Sequence, residues 1–209
     1  DPDFFNGPKH GIRVIETLSK RHPDVTYDVT IKVEHLLKHR ELLPILGETG
    51  CLFVTTAAES FDDEILKILD KGHTRADFSE AVEICRKLDL NLAPTFVAFT
   101  PWTTVKTYLD FLKEIVHFDL ISRVPVVQYS LRLLVPRGSL MLDQDAFRGF
   151  VGSYRPDALS YAWNYRDPSV GAFEAEVGHA VETFVEAGLP AADAFGELWR
   201  FIHKKNRLQ

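Results

Sequence analysis

The sequence predicts an α/β fold: a partial (β/α) barrel with a mainly parallel sheet of four to five strands, followed by a C-terminal helical hairpin. Short apolar runs such as Cys51–Thr55 alternate with helical stretches such as Thr103–His117 up to about residue 140. That alternation is typical of parallel sheets with right-handed crossovers. A complete eightfold barrel takes about 250 residues, and this chain of 209 residues offers too few strand-like runs to close one.

The first elements follow from start signals and apolar spacing. Asn6, which precedes Gly-Pro, can cap a helix, and we expect that helix over Pro8–Lys20. The β-branched run Val25–Thr30 predicts a strand, and the leucines of His35–Leu46 predict the next helix. The continuous apolar run Cys51–Thr55 is typical of a parallel strand that is covered on both faces.

The middle of the chain repeats this order. Ser60 or Asp62 starts a short helix, and Thr74 with Asp77 three residues later starts another, which places Cys85 on an apolar helix face. Cys85 is therefore most simply a core residue.

The later elements are less regular. They comprise a strand at Leu92–Ala98, a helix at Thr103–His117 with one apolar stripe, and a further strand or two within Val124–Leu134. Two helices end the chain. We therefore assign residues 1–145 to the partial barrel and residues 146–209 to an aromatic loop with a helical extension.

Composition excludes several classes of protein. The formal charge is −6, from 24 Lys+Arg and 30 Asp+Glu, and no basic stripe is present, which argues against a nucleic-acid partner. No apolar stretch approaches the roughly 20 residues that cross a bilayer. We therefore expect no membrane partner and a cytoplasmic protein. The chain does not begin with Met, so we expect it to be a piece of a longer protein.

Candidate functional residues follow the strands, because ligands collect beyond the carboxyl ends of parallel strands. Carboxylates in Asp1–Asn6 could hold an ammonium group beside a helix start, although acidic residues also favour helix starts for structural reasons. Lys32 and Glu34 would face the same side of a continued strand as a catalytic or substrate-binding pair, or lie in a solvated loop. His35 and His39 have helical spacing, but no zincin Glu follows His35, so no metal site is predicted.

Two further loops carry polar or aromatic groups. The loop from Thr55 to Ser60 combines small residues with a carboxylate and hydroxyls that suit a ribose or an amino acid, unless Ser60 only caps a helix. In the next loop, Phe99 and Trp102 could stack on a planar ring, although aromatic side chains are more often packing residues.

These loops together resemble the later part of the radical S-adenosylmethionine (SAM) enzymes, which are partial barrels. Two segments carry the similarity: AAESFDDEILKILDKGHTRADFSEAV at residues 57–82 and PTFVAFTPWTT at residues 94–104. The acidic DPDFF at the start is similar to the cobalamin-dependent members of the family. The resemblance spans residues 1–141. More loosely, the chain looks like an uncharacterised bacterial subgroup with a Cys- or selenocysteine-Ala-Glu-Pro tail, which is absent here.

The resemblance implies roles for particular residues. Asp1 or Asp3 would hold the SAM amino group, and Glu59 and Ser60, in the loop that Thr55 opens, would contact the ribose and methionine portions. The backbone around Phe99 and Thr100 would touch adenine, although Ala98 and Thr100 stand where glycines are usual. The residues that would face the substrate are Lys32, Glu34 and Arg132.

The cofactors implied are SAM and a 4Fe-4S cluster. The family holds its cluster on Cys-x3-Cys-x2-Cys, whereas this chain has only Cys51 and Cys85, far apart. The resemblance therefore implies that the cluster ligands lie upstream, and we expect the isolated chain to hold no iron and to be inactive.

Two other expectations concern partners and function. The substrate is an unspecified small molecule or peptide, and an exposed sheet edge could form a homodimer or be covered by the C-terminal segment. The alternative function is a metabolite-binding module, or an isomerase or aldolase without a cluster, in which Lys32 would act as base or Schiff-base lysine.

Overall fold

The computed structural model describes residues 3–206, which divide into two compact units. The first unit contains the described residues up to Ala58 together with Gly72–Thr95. The second contains Glu59–Lys71 and the described residues from Phe96 onward.

The described helices and strands alternate through the first half of the chain, as the sequence predicts. The α-helices are α1 (Pro8–Arg21), α2 (Val33–Lys38), α3 (Leu43–Glu48), α4 (Asp63–Ile68), α5 (Arg75–Lys87), α6 (Val105–His117), α7 (Asp145–Arg148), α8 (Ser169–Glu186) and α9 (Ala191–Asn206). The strands are β1 (Tyr27–Thr30), β2 (Cys51–Glu59), β3 (Leu92–Phe96), β4 (Val151–Arg155) and β5 (Ser160–Trp163). No described helix is both long enough and apolar enough to span a bilayer.

The parallel sheet has the order β1-β2-β3, with β2 in the centre. Val29 of β1 pairs with Val54 of β2, and along β2 every second side chain is buried: Val54, Thr56 and Ala58. The helices of this unit contribute the buried residues Ile12, Ile15, Leu36, Leu43, Leu46, Phe78, Val82 and Cys85. The core position predicted for Cys85 is confirmed.

Helix starts in this unit follow local side-chain chemistry. The Thr74 hydroxyl accepts a hydrogen bond from the Asp77 N–H, and the Asp77 carboxylate accepts one from the Thr74 N–H, so the predicted capping box of α5 is confirmed. At α1 the N-cap is Gly7 rather than Asn6, and Pro8 occupies the first turn.

The sheet is smaller than predicted. The parallel α/β sheet and the C-terminal helical pair are confirmed, but the described sheet has three strands, not four or five, and barrel curvature stays a prediction. In place of the strand expected within Val124–Leu134 the chain forms a 3-10 helix at Val126–Ser130. Pro125 precedes this helix, and the buried Gln128 side chain accepts the Phe96 N–H at 2.9 Å, as a strand backbone would. Of the strand pairing expected in this segment, the described residues form an isolated parallel bridge between Phe99 and Arg132.

The second unit contains α6, an antiparallel hairpin of β4 and β5, and the helices α8 and α9. The hairpin lies where the sequence predicts an irregular aromatic segment: Tyr154 pairs with Tyr161, and the turn passes through Leu159 at a φ of 51°. One core cluster consists of Ile65, Trp102, Val135, Phe147 and Trp163.

Candidate functional site

A cleft of about 270 Å³ opens in the second unit at the carboxyl end of β2. The apolar side chains that line it are Phe61, Ile65, Val97, Ala98 and Phe111. The charged and hydroxyl side chains that line it are Glu59, Ser60, Asp62, Thr103, Lys106, Thr107, Asp110 and Glu114. Two of the lining carboxylates have lysine partners: Glu59 is paired with Lys71, and Asp110 with Lys106 and Lys113. The lining therefore combines an apolar part with charged and hydroxyl groups, which suits a small polar ligand with a planar part.

Glu59 is the strained residue of this cleft. Its φ is 62°, in the left-handed region that residues other than Gly, Asn and Asp seldom adopt. Its Oε1 accepts a hydrogen bond from Lys71 Nζ at 2.9 Å, and the two side chains are 21% and 27% exposed. The Glu59 carbonyl oxygen accepts the Val97 N–H at 2.9 Å, which fixes the end of β2. Such outliers cluster at functional sites.

Ser60 lies beside Glu59 but does not cap the next helix. The Ser60 hydroxyl accepts the Asp62 N–H at 3.0 Å, whereas the Asp62 carboxylate accepts the N–H groups of Glu64 and Ile65 and is the N-cap of α4. Of the two caps that the sequence allows, the structure therefore uses Asp62. Ser60 also lines the cleft, and its O–H donates no hydrogen bond within the described residues.

The loop after β3 is occupied by its own packing. Phe99 is fully buried and stacks on Tyr108 with 4.9 Å between ring centroids, and Trp102 is buried in the core cluster. The idea that these two rings stack on a ligand is therefore wrong. The Phe99 N–H donates to the Leu131 carbonyl, and the buried Thr100 donates its N–H to the Thr103 hydroxyl. An adenine contact by this backbone stays a prediction.

In the first unit, the structure brings Asp3 to His35. The buried Asp3 carboxylate accepts the Phe5 N–H through Oδ1, and its Oδ2 lies 2.7 Å from Nδ1 of His35. Nε2 of His35 lies 3.4 Å from Oε1 of Glu34. This arrangement gives Asp3 a structural partner already, and its contact with a SAM amino group stays a prediction. Asp1 lies outside the described residues.

Lys32, Glu34 and Thr55 lie in elements that differ from those predicted. Because β1 ends at Thr30, Lys32 and Glu34 do not continue a strand: the exposed Lys32 is the N-cap of α2, and Glu34 lies in its first turn. Thr55 belongs to β2 rather than to a loop, and its carbonyl accepts the Ile31 N–H at 2.9 Å.

Arg132 lies in a polar and aromatic cluster of the second unit. Its guanidinium carbon is 3.8 Å from the centroid of the Trp163 ring, Nη2 donates to the Trp163 carbonyl at 2.6 Å, and Nη1 lies 3.2 Å from Oε2 of Glu174. The Tyr165 O–H donates to the same Oε2 at 2.6 Å. Burial, together with this bond to Glu174, raises the pKa of Tyr165 far above its usual value.

Sequence reasoning missed the partners Lys71, Glu174 and Tyr165, and it did not connect His35 with Asp3. Lys71 is the one with a detectable signal, since a Lys directly before Gly72 follows the helix that begins after Glu59. The other partners are separated in sequence and meet only through tertiary packing.

The described residues do not supply a site for an iron–sulfur cluster. They contain no group of three or more His, Cys, Asp or Glu side chains placed to hold a metal. Cys85 is buried and Cys51 is half-buried on β2, and burial raises the pKa of the Cys51 thiol to about 11.

The sequence matches no protein-family model. Over 97 residues, or 46% of this chain, it is 31% identical to the bacteriochlorophyllide d C-8(2)-methyltransferase of Chlorobaculum tepidum, and the match covers 20% of that protein. This chain therefore spans about a fifth of the length of this relative.

Several solved structures share the fold. The cobalamin-dependent SAM radical enzyme OxsB, with aqua-cobalamin and SAM bound, matches 79% of this chain and 30% of its own, at a TM-score of 0.65 and 14% identity. The radical SAM methyltransferase TsrM of Kitasatospora setae, with tryptophan and a SAM analogue bound, matches 87% of this chain and 41% of its own, at a TM-score of 0.51 and 14% identity. Elp3 of Methanocaldococcus infernus matches 87% of this chain and 46% of its own, at a TM-score of 0.52 and 13% identity. The chain thus has the fold of a part of radical SAM enzymes.

Proposed function

We propose that this chain is part of a radical SAM enzyme, in which SAM is cleaved reductively to a 5′-deoxyadenosyl radical that acts on a further substrate. The observation that carries this proposal is the fold shared with OxsB over 79% of the chain. The cleft at Glu59 and Ser60 supports it independently, because it lies at the strand end where ligands of parallel sheets collect.

The residues of the cleft fit the chemistry of SAM. SAM carries an ammonium and a sulfonium charge beside ribose hydroxyls and a flat adenine. Lys71 holds Oε1 of Glu59, and Oε2 of the same carboxylate can accept a hydrogen bond from a ribose hydroxyl or the ammonium group. Ser60 supplies an O–H donor next to it. Glu114 adds a further carboxylate to the lining, whereas Asp110 is already paired with Lys106 and Lys113, and Asp62 caps α4.

A 4Fe-4S cluster does not fit the described residues, because no three possible ligands lie together in them and the sequence has only two cysteines, Cys51 and Cys85. We therefore place the cluster ligands in a part of the protein outside this sequence, and the isolated chain would be inactive. The substrate space is assigned to Lys32, Glu34 and Arg132 as a proposal on the resemblance alone.

Lys32 does not favour the alternative of an isomerase or aldolase. A lysine that forms a Schiff base is usually desolvated in an apolar pocket or placed beside another cation. The exposed Lys32, at the start of α2, has neither feature among the described residues.

The proposal is tested in the longer protein with its cluster reconstituted anaerobically. Glu59→Gln and Ser60→Ala should each weaken SAM binding, because the first removes the negative charge of the acceptor and the second removes a hydroxyl donor. For Glu59, a charge-assisted bond of about 1.5–3 kcal/mol predicts a loss of about ten-fold to a hundred-fold by calorimetric titration.

The control is Glu64→Gln, since Glu64 is exposed on α4 and does not line the cleft. Its SAM affinity should equal that of the unsubstituted protein. The proposal is overturned if the reconstituted protein releases no 5′-deoxyadenosine on reduction with dithionite, or if Glu59→Gln and Ser60→Ala both keep full SAM affinity.

A further inference from the structure

We propose that Arg132 and Glu174 bind the ammonium and carboxylate groups of a free α-amino acid. As an assignment of substrate class this rests on the proposed function, whereas the binding site itself is tested without it. Both residues belong to the second unit, and each has hydrogen-bonding groups that its neighbours leave unused.

The guanidinium of Arg132 is held in place, but most of its donors are unused. It lies over the Trp163 ring at 3.8 Å and 5.6 Å from the Tyr165 ring centroid. Of the five N–H donors of a guanidinium, the contacts within the described residues engage one on Nη2, with the Trp163 carbonyl, and one on Nη1, with Glu174. The side chain remains 42% exposed, so the remaining donors are reachable from solvent.

Glu174 is held in the same way with one oxygen unused. Its Oε2 accepts both the Tyr165 O–H at 2.6 Å and the Arg132 Nη1–H at 3.2 Å. Its Oε1 makes no hydrogen bond within the described residues, although the side chain is only 18% exposed. Glu174 Oε1 is exposed to solvent, so a cationic donor can reach it and form a charge-assisted hydrogen bond.

The pairing between these two residues is incomplete. An arginine and a carboxylate that satisfy each other form two parallel bonds of about 2.7–2.9 Å. Here Arg132 Nη1 makes a single contact with Glu174 Oε2 at 3.2 Å, because Arg132 Nη2 donates to the Trp163 carbonyl instead. Unused N–H donors and an unused carboxylate oxygen therefore lie on neighbouring side chains.

An α-amino acid has the complementary pair of charges on one carbon. Its carboxylate can accept from the free Arg132 donors, while its ammonium donates to Oε1 of Glu174. Since Trp163 and Tyr165 already fix both side chains, binding costs little additional side-chain entropy. A purely structural role predicts instead that the cluster only links the segment around Arg132 to α8.

The test uses three probes with the 209-residue chain: L-phenylalanine, phenethylamine, which lacks the carboxylate, and 3-phenylpropanoate, which lacks the ammonium. Titration is followed by NMR of the Trp side-chain N–H signals, because Trp163 donates its Nε1–H to the Leu133 carbonyl within the cluster. L-Phenylalanine should bind about ten-fold or more tightly than either analogue, since each analogue loses one charge-assisted contact.

Two conservative variants assign the contacts. Arg132→Lys should reduce the advantage of L-phenylalanine over phenethylamine, and Glu174→Gln should reduce its advantage over 3-phenylpropanoate. The matched controls are Arg155→Lys and Glu186→Gln, which change exposed residues of β4 and α8 outside the cluster.

Equal binding of the three probes, or no binding, by the unsubstituted chain overturns the inference and leaves the structural role. The comparison of the three probes uses only the unsubstituted chain, so no variant has to fold. Failure of the proposed function is separate, because it appears as no release of 5′-deoxyadenosine, or as unchanged SAM affinity in both Glu59→Gln and Ser60→Ala, while the amino acid still binds.

Discussion

At the scale of single residues, Glu59 combines a strained backbone with a partly buried ion pair. Replacement by Gly or by Ala removes the carboxylate equally, but only Gly relieves the left-handed conformation. We expect Glu59→Gly to be more stable than Glu59→Ala by about 1 kcal/mol, measured as the free energy of unfolding in urea.

At Glu83, in the middle of α5, the difference in the free energy of unfolding between the Gly and Ala variants should have the opposite sign. Ala is favoured over Gly there by roughly 0.8–1.0 kcal/mol, because the position is right-handed helix. Equal stability of the two Glu59 variants would show that the φ of 62° carries no energetic cost.

His35 is expected to stabilise the first unit through Asp3. His35→Ala removes the 2.7 Å partner of a buried carboxylate, and should lower the free energy of unfolding by about 2 kcal/mol. His39→Ala is the comparison, since His39 packs against the rings of Phe5 and His35 without a described carboxylate bond. A larger loss for His39→Ala, measured by urea denaturation, would contradict the role of the pair.

The placement of Glu59 and Ser60 at the carboxyl end of β2 could be predicted from the sequence, because the short apolar run before them is a local signal for a strand. The roles of Phe99 and Trp102 could not, since an aromatic residue after a strand serves a core as readily as a ligand. Only the packing of Tyr108 and Phe147 against them decides between these roles.

At the scale of elements, three helices end in the same way. After α4, α5 and α6 the residue in the left-handed region is an aspartate: Asp70, Asp89 and Asp119. In each case the next N–H reaches back to a carbonyl of the last turn, as Leu120 does to Ile115 at 2.9 Å. These are Schellman caps, in which glycine is the usual residue.

Asp119→Gly should therefore raise the free energy of unfolding by about 0.5–1 kcal/mol, whereas Asp119→Ala should not raise it, because Ala keeps the Cβ. Thermal or urea unfolding of the two variants measures this difference. Stabilisation by Ala that matches Gly would mean that the carboxylate, not the backbone, is unfavourable at this position.

Helices were predicted more closely than strands because their signals are local. The predicted Pro8–Lys20 differs from α1 by one residue at its end, since Pro8 and the apolar spacing both lie within the helix. The strand expected within Val124–Leu134 depends on a partner, and the side chain of Gln128 takes that place. The β4-β5 hairpin was missed because Gly152 interrupts the alternating pattern of β4.

At the scale of the whole molecule, the sheet has β1 at one edge. The N–H groups of Tyr27 and Ile31 donate toward β2, so those of Asp28 and Thr30 face the opposite side. Because unpaired edges recruit strands, we propose that this edge forms a homodimer.

Light scattering after size exclusion should give twice the 23.7 kDa chain mass. Asp28→Pro should give a folded monomer, because it removes one outward N–H from an edge strand that tolerates proline. A monomer at all concentrations in the unsubstituted chain would contradict the proposed dimer.

The two units are interleaved along the chain, which passes from one to the other after Ala58, after Lys71 and after Thr95. Neither unit is therefore a continuous stretch of the polypeptide. During synthesis, the first unit cannot be completed until Thr95 has left the ribosome, although its sheet begins at Tyr27. By then the residues of Glu59–Lys71, which belong to the second unit, have already emerged and must wait for Phe96 and the residues after it. Gene fragments cut between the strands would separate pieces that fold together.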